Sequence, residues 1–403
     1  MKPSDTTSFS ALRERAERQI MENLRPVSGS GGQPVLNEGG VYHGIWLECG
    51  PHESLTIAGE APEAALMSHR IFYIHQKDDG QLPCLVCTKG PGYRQIQQVV
   101  PIARTALELA KRTGNEAFLA ESFDACAKWD AWLMRHRDPR KLDLIEAWCT
   151  FDTGHDNSPR FANCPNFCPN GAGVMPEGAV PRLAPDLSAN LHSARLALAE
   201  MAELLGKPEA AERFRDAAER TRLNVEKYCY DPEREFYYDR LPDGRFVHVT
   251  GDAGVRVLGE HLPSIERGRR IFERYILDEA SFWTPFPMPS VAADDPAFIH
   301  PAPENCWGGA SQALTALRAL RYFPYYGFGK ELEHLMRRWL EAMDQADAFR
   351  QQLDPFTGES STTERYTPAM CCAIEFCRRL ENPELTPPCR SGGTAGATTR
   401  IAG

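Results

Sequence analysis

One pattern limits what this chain can become. An amphipathic helix, a turn of a few residues marked by glycine, and a second amphipathic helix occur together three times. Between 186 and 205, Leu187, Leu191, Ala194, Leu198, Met201 and Leu205 recur at alternating steps of four and three, which places them on one stripe of a helix. Gly206 and Pro208 punctuate that stripe, and Ala210, Phe214, Ala217, Thr221, Val225 and Tyr228 resume it. An earlier pair runs through Ile102, Ala106 and Leu109, turns at Gly114-Asn115, and continues through Phe118, Ser122, Ala125, Trp129 and Trp132. A third spans Ala310 to Tyr322, turns near Gly327 and Gly329, and resumes through Leu332, Leu335, Trp339 and Met343. Helices joined by such short turns lie antiparallel, so the pattern predicts an all-α domain of repeated hairpins. Strand signals are sparse. Phe236-Tyr237-Tyr238 and Arg245–Val249 flank Pro242-Asp243-Gly244 and predict one small β-hairpin.

The composition sets the outer bounds. With 42% hydrophobic and 25% charged residues among 403, the chain has enough apolar mass for a sizeable core. A formal charge of −10 is unlike the basic footprint of a nucleic-acid binder or a polybasic membrane patch. No apolar run approaches the ~18 residues that a membrane helix needs. The opening MKPSDTTSFSALRERAERQI has no uncharged apolar stretch or small-residue cleavage site, so a cytoplasmic location is expected. Thirteen cysteines, an odd number, fit reduced structural thiols better than a disulfide framework. Cys84 with Cys87, and Cys164 with Cys168, could be read as zinc ligands. An apolar setting for the first pair and a three-residue spacer for the second favour buried thiols and no metal. No linker divides the middle. Residues 1–33 are expected to form an N-terminal helix and a loose Gly/Ser-rich stretch at Pro26–Gln33, residues 34–380 the main domain, and residues 381–403 a disordered tail.

Two long segments, 149–185 and 281–304, are rich in Pro, Gly, Asn and Asp with interspersed aromatics, and long loops of this kind usually carry function. The densest polar stretch is Phe151-Asp152-Thr153-Gly154-His155-Asp156-Asn157-Ser158-Pro159-Arg160-Phe161. It reads either as a capped turn, with Asp and Asn bonding their own backbone, or as a carboxylic acid on a rigid loop beside an orienting arginine.

This stretch resembles the (α/α)6-barrel glycosidases of glycoside hydrolase family 63 and its relatives, which include mannosylglycerate and glucosylglycerate hydrolases, processing α-glucosidase I and, more distantly, trehalases. In that group a Gly-(aromatic or Met)-Asp-Asn-Ser-Pro-Arg stretch carries the general acid, and the matching residue is Asp156. The likeness continues in order along residues 40–380. Tyr42-His43-Gly44-Ile45-Trp46-Leu47-Glu48 is similar to a segment whose Trp-Asp contacts the sugar. Gln76 opens a Gln…Asp-Gly…Pro segment, and Trp129 through Arg137-Asp138 resembles the helix leading to the acid loop. Cys306-Trp307-Gly308-Gly309 corresponds to a Tyr-Trp-Arg-Gly-type segment, and Asp354-Pro355-Phe356-Thr357-Gly358 matches a closing Asp-Pro-x-Thr-Gly motif. The resemblance implies a single (α/α)6 barrel and a small-molecule substrate, an α-linked glycoside such as a glycosylglycerate or disaccharide. It implies inversion at the anomeric carbon and no cofactor. By the same resemblance Tyr42, Trp46, Glu48, Gln76, His155, Asn157, Arg160 and Trp307 would bind the substrate. Inversion needs an acid and a base roughly 6.5–9.5 Å apart, with water between the base and the sugar.

Two positions depart from the family pattern. The general base, a Glu three residues before the Asp of Asp-Pro-x-Thr-Gly, is here Gln351, and Leu47-Glu48 stands in place of Trp-Asp. Glu359, Glu364 and Glu48 are the carboxylates able to substitute for the base. Otherwise Gln351 is a trapping substitution, or hydrolysis has given way to an acid-initiated elimination, isomerisation or carbocation cyclisation. The cyclisation would use magnesium and a diphosphate, held by Asp294-Asp295 or by Asp152 with Asp156. A sugar-binding protein without catalysis is the third reading.

Overall fold

The computed structural model describes residues 9–386. Twelve α-helices frame it: α1 (Ser10–Glu22), α2 (Gly50–Glu53), α3 (Pro62–Ile74), α4 (Ile102–Thr113), α5 (Glu116–His136), α6 (Pro185–Leu204), α7 (Pro208–Tyr228), α8 (Asp252–Gly259), α9 (Ile265–Ile271), α10 (Ala313–Tyr326), α11 (Gly329–Ala346) and α12 (Thr367–Glu381). The three expected hairpins are α4–α5, α6–α7 and α10–α11. The first shows how local chemistry sets the turn. Gly114 takes the left-handed conformation (φ 64°) that ends α4, and the Asn115 side chain then accepts from Phe118 N–H to start α5.

Burial sorts the helices into two layers. Every residue of α8 and the whole stretch Thr367–Ile374 of α12 are buried. In α7, by contrast, only Ala210, Ala211, Ala217, Ala218, Thr221 and Val225 are buried. Helices apolar on nearly all sides belong inside, and helices with one stripe belong outside. The contacts agree: α2, α4, α6, α8, α10 and α12 each touch the next, and α12 touches α2, so the inner helices close into a ring. The outer helices pack on that ring, which makes a single (α/α)6 barrel. Among the described residues no helix is long and apolar enough to cross a membrane.

The strands are two or three residues long and trim the barrel's end. Asp239–Arg240 pairs with Phe246–Val247 around the expected turn, but Phe236–Tyr237 pairs instead with Tyr230–Asp231. The β-hairpin is therefore present with its first strand displaced. Ile45–Trp46 pairs with Leu85–Cys87, and Gln352–Leu353 lies between Ser311–Gln312 and Ser360–Ser361.

The N-terminal segment is built into the barrel. Leu12, Ala16 and Ile20 of α1 are buried, and α1 packs on α12. Pro26–Gln33, expected to be loose, is held in turns. Val27 N–H donates to Ser30 Oγ, Ser28 N–H donates to Cys87 O, and the His75 ring donates to Ser28 O. A stitch joins this region to the start of α12: Thr367 N–H donates to Glu38 O (2.8 Å), and Thr367 Oγ1 donates to Asn37 O (2.7 Å). Of the expected tail, Pro383–Leu385 forms a single turn, and residues 387–403 lie outside the described residues.

Candidate active site

A cavity of about 290 Å³ opens at one end of the inner ring, lined by Glu38, Tyr42, Trp46, Glu48, Leu85, Gln95, Gln97, Phe151, Gly154, Asp156, Asn305, Trp307, Leu314, Gln351 and Tyr366. The volume is at the small end for a ligand site. All but Leu314 lie in segments that lead into an inner helix, and Leu314 is in the first turn of α10. The barrel thus gathers distant loops onto one mouth.

The loop carrying Asp156 is fixed from below. Asp152 is buried, accepts from the backbone of Ile96 and Trp148, and takes both ends of the Arg137 guanidinium at 2.6 and 2.9 Å. Gly154 follows with φ 64°, and a Cβ there would collide with the Glu48 carboxylate, so only glycine lets the two segments meet. Asp156 O accepts from Trp307 N–H (3.0 Å), and Asn157 Nδ2 donates to Asn305 O (3.0 Å), which zips the acid loop to residues 305–307.

The Asp156 carboxyl is one end of a side-chain relay across the cavity. Asn305 Nδ2 donates to Asp156 Oδ2 (2.8 Å), Gln351 Nε2 donates to Asn305 Oδ1 (2.8 Å), and the Tyr42 hydroxyl donates to Gln351 Oε1 (3.1 Å). Burial pushes the Asp156 pKa up to about 6, against the opposing pull of the Asn305 hydrogen bond. Glu48 and Glu38 are also raised well above the carboxylate range, chiefly by burial and then by neighbouring carboxyls. Arg256 and Arg318 partly offset this at Glu48, and a hydrogen bond from Tyr366 does so at Glu38.

Six of the residues singled out from sequence line this cavity: Asp156, Gln351, Glu48, Tyr42, Trp46 and Trp307. The other six do not. Glu364 is exposed and paired with Arg350 (2.9 Å), and Glu359 lines a separate surface cleft, so the proposed substitute bases after Gln351 point elsewhere. Gln76 donates to the backbone carbonyls of Gly80 and Ala125, which fixes the turn after α3. Arg160, four residues after Asp156, is turned to other partners. All five of its donors are committed: two to Asp186 at 2.8 Å, two to Asp239 at 2.6 and 2.7 Å, and one to His155 Nδ1 at 2.9 Å. His155 is buried, accepts from Arg160, donates to Asp252 (3.1 Å) and stands edge-on to Trp307. Burial and Arg256 push its pKa down to about 3, so it is a neutral strut. Asn157 is exposed and braces Asn305.

Glu38, Gln95, Gln97, Asn305 and Tyr366 went unnoticed in the sequence. Asn305 stands two residues before Trp307, a segment already singled out. Glu38 sits beside the Gly39-Gly40 turn, near the start of the expected main domain and outside every segment singled out. The acidic pairs proposed for magnesium have other partners: Asp295 accepts from the backbone of Thr250 and Ala297, and Asp152 holds Arg137. Cys84 and Cys87 donate to the carbonyls of Gly92 and Gly90. Cys168 faces Cys149 at 3.8 Å, and Cys164 instead accepts from Arg182.

A family model for the mannosylglycerate hydrolase MGH1-like glycoside hydrolase domain matches residues 52–367. The chain belongs to this family. It is accordingly a glycoside hydrolase acting on a small-molecule glycoside. Solved structures match the fold over nearly the whole chain. The mannosylglycerate hydrolase of glycoside hydrolase family 63 from Thermus thermophilus, in complex with glucose, superposes with a TM-score of 0.74 at 21% identity, covering 91% of this chain and 100% of that one. Neutral trehalase Nth1 from Saccharomyces cerevisiae gives 0.68 at 13%, covering 92% and 80%. A rhamnosidase from Klebsiella oxytoca with rhamnose bound gives 0.64 at 12%, covering 94% and 65%. At these identities the likeness is one of fold.

Proposed function

We propose that the chain is an inverting O-glycoside hydrolase for a small α-linked glycoside, a glycosylglycerate or a disaccharide, with Asp156 as the general acid. The observation that carries this reading is the half-buried carboxyl of Asp156 on the cavity wall, with a pKa raised to about 6, so that about half of it is protonated at pH 6 and about a tenth at pH 7. Asn305 orients it by donating to one of its oxygens, Oδ2. The modest cavity suits one sugar ring, and Trp46, Trp307 and Tyr42 offer apolar faces for it. In the reaction Asp156 gives its proton to the glycosidic oxygen as the bond to the anomeric carbon breaks. Water enters from the opposite face, and its proton passes to a carboxylate there. Gln351, Tyr42, Tyr366 and Glu38 line the same cavity.

The test is incubation with α-mannosyl- and α-glucosylglycerate and trehalose, followed by proton NMR in the first minutes. Release of the β-anomer, lost on Asp156→Asn, is the expected result. The α-anomer as the sole first product would overturn inversion, since trehalose cleaved with inversion gives one β- and one α-glucose. Absence of turnover on α-glycosides would favour a non-hydrolytic or purely sugar-binding role, as the amide at Gln351 would then suggest.

A further inference from the structure

We infer that Glu38 is the carboxylate that activates water, in the role that the amide of Gln351 leaves open; this rests on the inverting-hydrolase reading above. Three observations lead there. The first is position. Glu38 and Gln351 share neighbours: the Tyr42 hydroxyl donates to Gln351, the Tyr42 ring lies 5.9 Å from Tyr366, and the Tyr366 hydroxyl bonds Glu38. Glu48, the remaining cavity carboxylate, instead packs on Gly154, two residues before Asp156. It is thus seated against the loop that carries Asp156, whereas Glu38 shares its neighbours with Gln351.

The second observation is how Glu38 is held. Its N–H donates to Gly44 O and its carbonyl accepts from Thr367 N–H, both at 2.8 Å, so the backbone is fixed on both sides of a side chain that is 7% exposed. The third is its lack of a cation. Asp152, Asp186, Asp239, Asp252 and Glu260, all buried, each pair with arginine. Among the described residues Glu38 forms no ion pair, so its lone pairs beyond the Tyr366 bond remain open to a water.

The amide of Gln351 then has a use. One Nε2 hydrogen goes to Asn305, and the second can donate to the oxygen of the same water while Glu38 takes its proton. The water oxygen bonds the anomeric carbon, the glycosidic C–O bond breaks, and the leaving oxygen takes the Asp156 proton. The step uses the form with Glu38 ionised and Asp156 protonated; because burial and neighbouring carboxyls favour protonated Glu38, only the fraction of molecules in that form turns over. Glu38 ends protonated and Asp156 ionised, and exchange with solvent restores both.

The test compares wild type, Glu38→Gln, Glu38→Ala and Asp156→Asn on α-glucosyl and α-mannosyl fluoride, with and without sodium azide, and with a thermal melt of each. Expected are folded Glu38 variants with kcat/KM lower by about 10²–10⁴-fold, and azide restoring turnover of Glu38→Ala with the β-glycosyl azide as product. A folded Glu38→Gln within tenfold of wild type would overturn the assignment and leave the hydrolase reading intact. Loss of activity without azide rescue or azide product would reduce Glu38 to a structural part, which also overturns it. Wild type inert on all α-glycosides would remove the hydrolase reading itself.

Discussion

At the scale of single residues, the acidity of Asp156 is set by two opposed effects, and each can be moved separately. Burial raises its pKa and the Asn305 hydrogen bond lowers it. Only the protonated form can serve as acid, so kcat/KM should fall as pH rises through about 6, and Asp156→Asn should lose about 10²–10⁴-fold without a matching loss of thermal stability. Asn305→Ala removes the donor that favours the ionised form, so the alkaline limb of the pH–rate profile should move to higher pH. A profile that stays in place would show that Asn305 does not bear on the acid. Glu38, Glu48 and Tyr42 face the same cavity, so the limb reports an apparent value for the group.

At the scale of elements, Arg160 shows what a linear motif conveys and what it omits. Its place four residues after Asp156 was legible, but the direction of its side chain was not, because the turn at Pro159–Phe161 aims it inward at α6 and the Asp239 strand. There it holds two buried carboxylates, and Arg182 donates to its carbonyl. Arg160→Ala should destabilise the fold by about 3–5 kcal/mol, since two carboxylates would be left buried without their cation; urea unfolding measures this. The arginine holds the Asp186 pKa down at about 2, below its unfolded value near 3.9. The stabilisation is therefore full above pH ~4 and should be lost as pH falls toward 2, visible as a falling urea midpoint. Helix pairs were legible because outer helices such as α7 show one clean stripe. The eight-residue α8, buried on all sides, offers no stripe to read. Glu38 and Asn305 were illegible for a related reason: only tertiary contact brings them to Asp156.

At the scale of the whole molecule, α1 is part of the barrel wall. Ile20, 1% exposed, sits in the main core, and Ile20→Ala should cost about 2–5 kcal/mol while leaving the activity of folded protein unchanged. A cost near zero by chemical denaturation would make α1 an appendage. The stitch from Asn37 and Glu38 to Thr367 also has a temporal side. Its partners are 330 positions apart, and at ≈ 5–20 residues per second a ribosome takes about 15–65 s to cross that distance. Once residue 156 has been made, the loop carrying Asp156 exists while Gln351 and Tyr366 of the same cavity do not, and the early inner helices lack the last members of their ring. The ring of inner helices therefore closes late in synthesis. The cavity at its mouth comes into being only when the last inner helix is released.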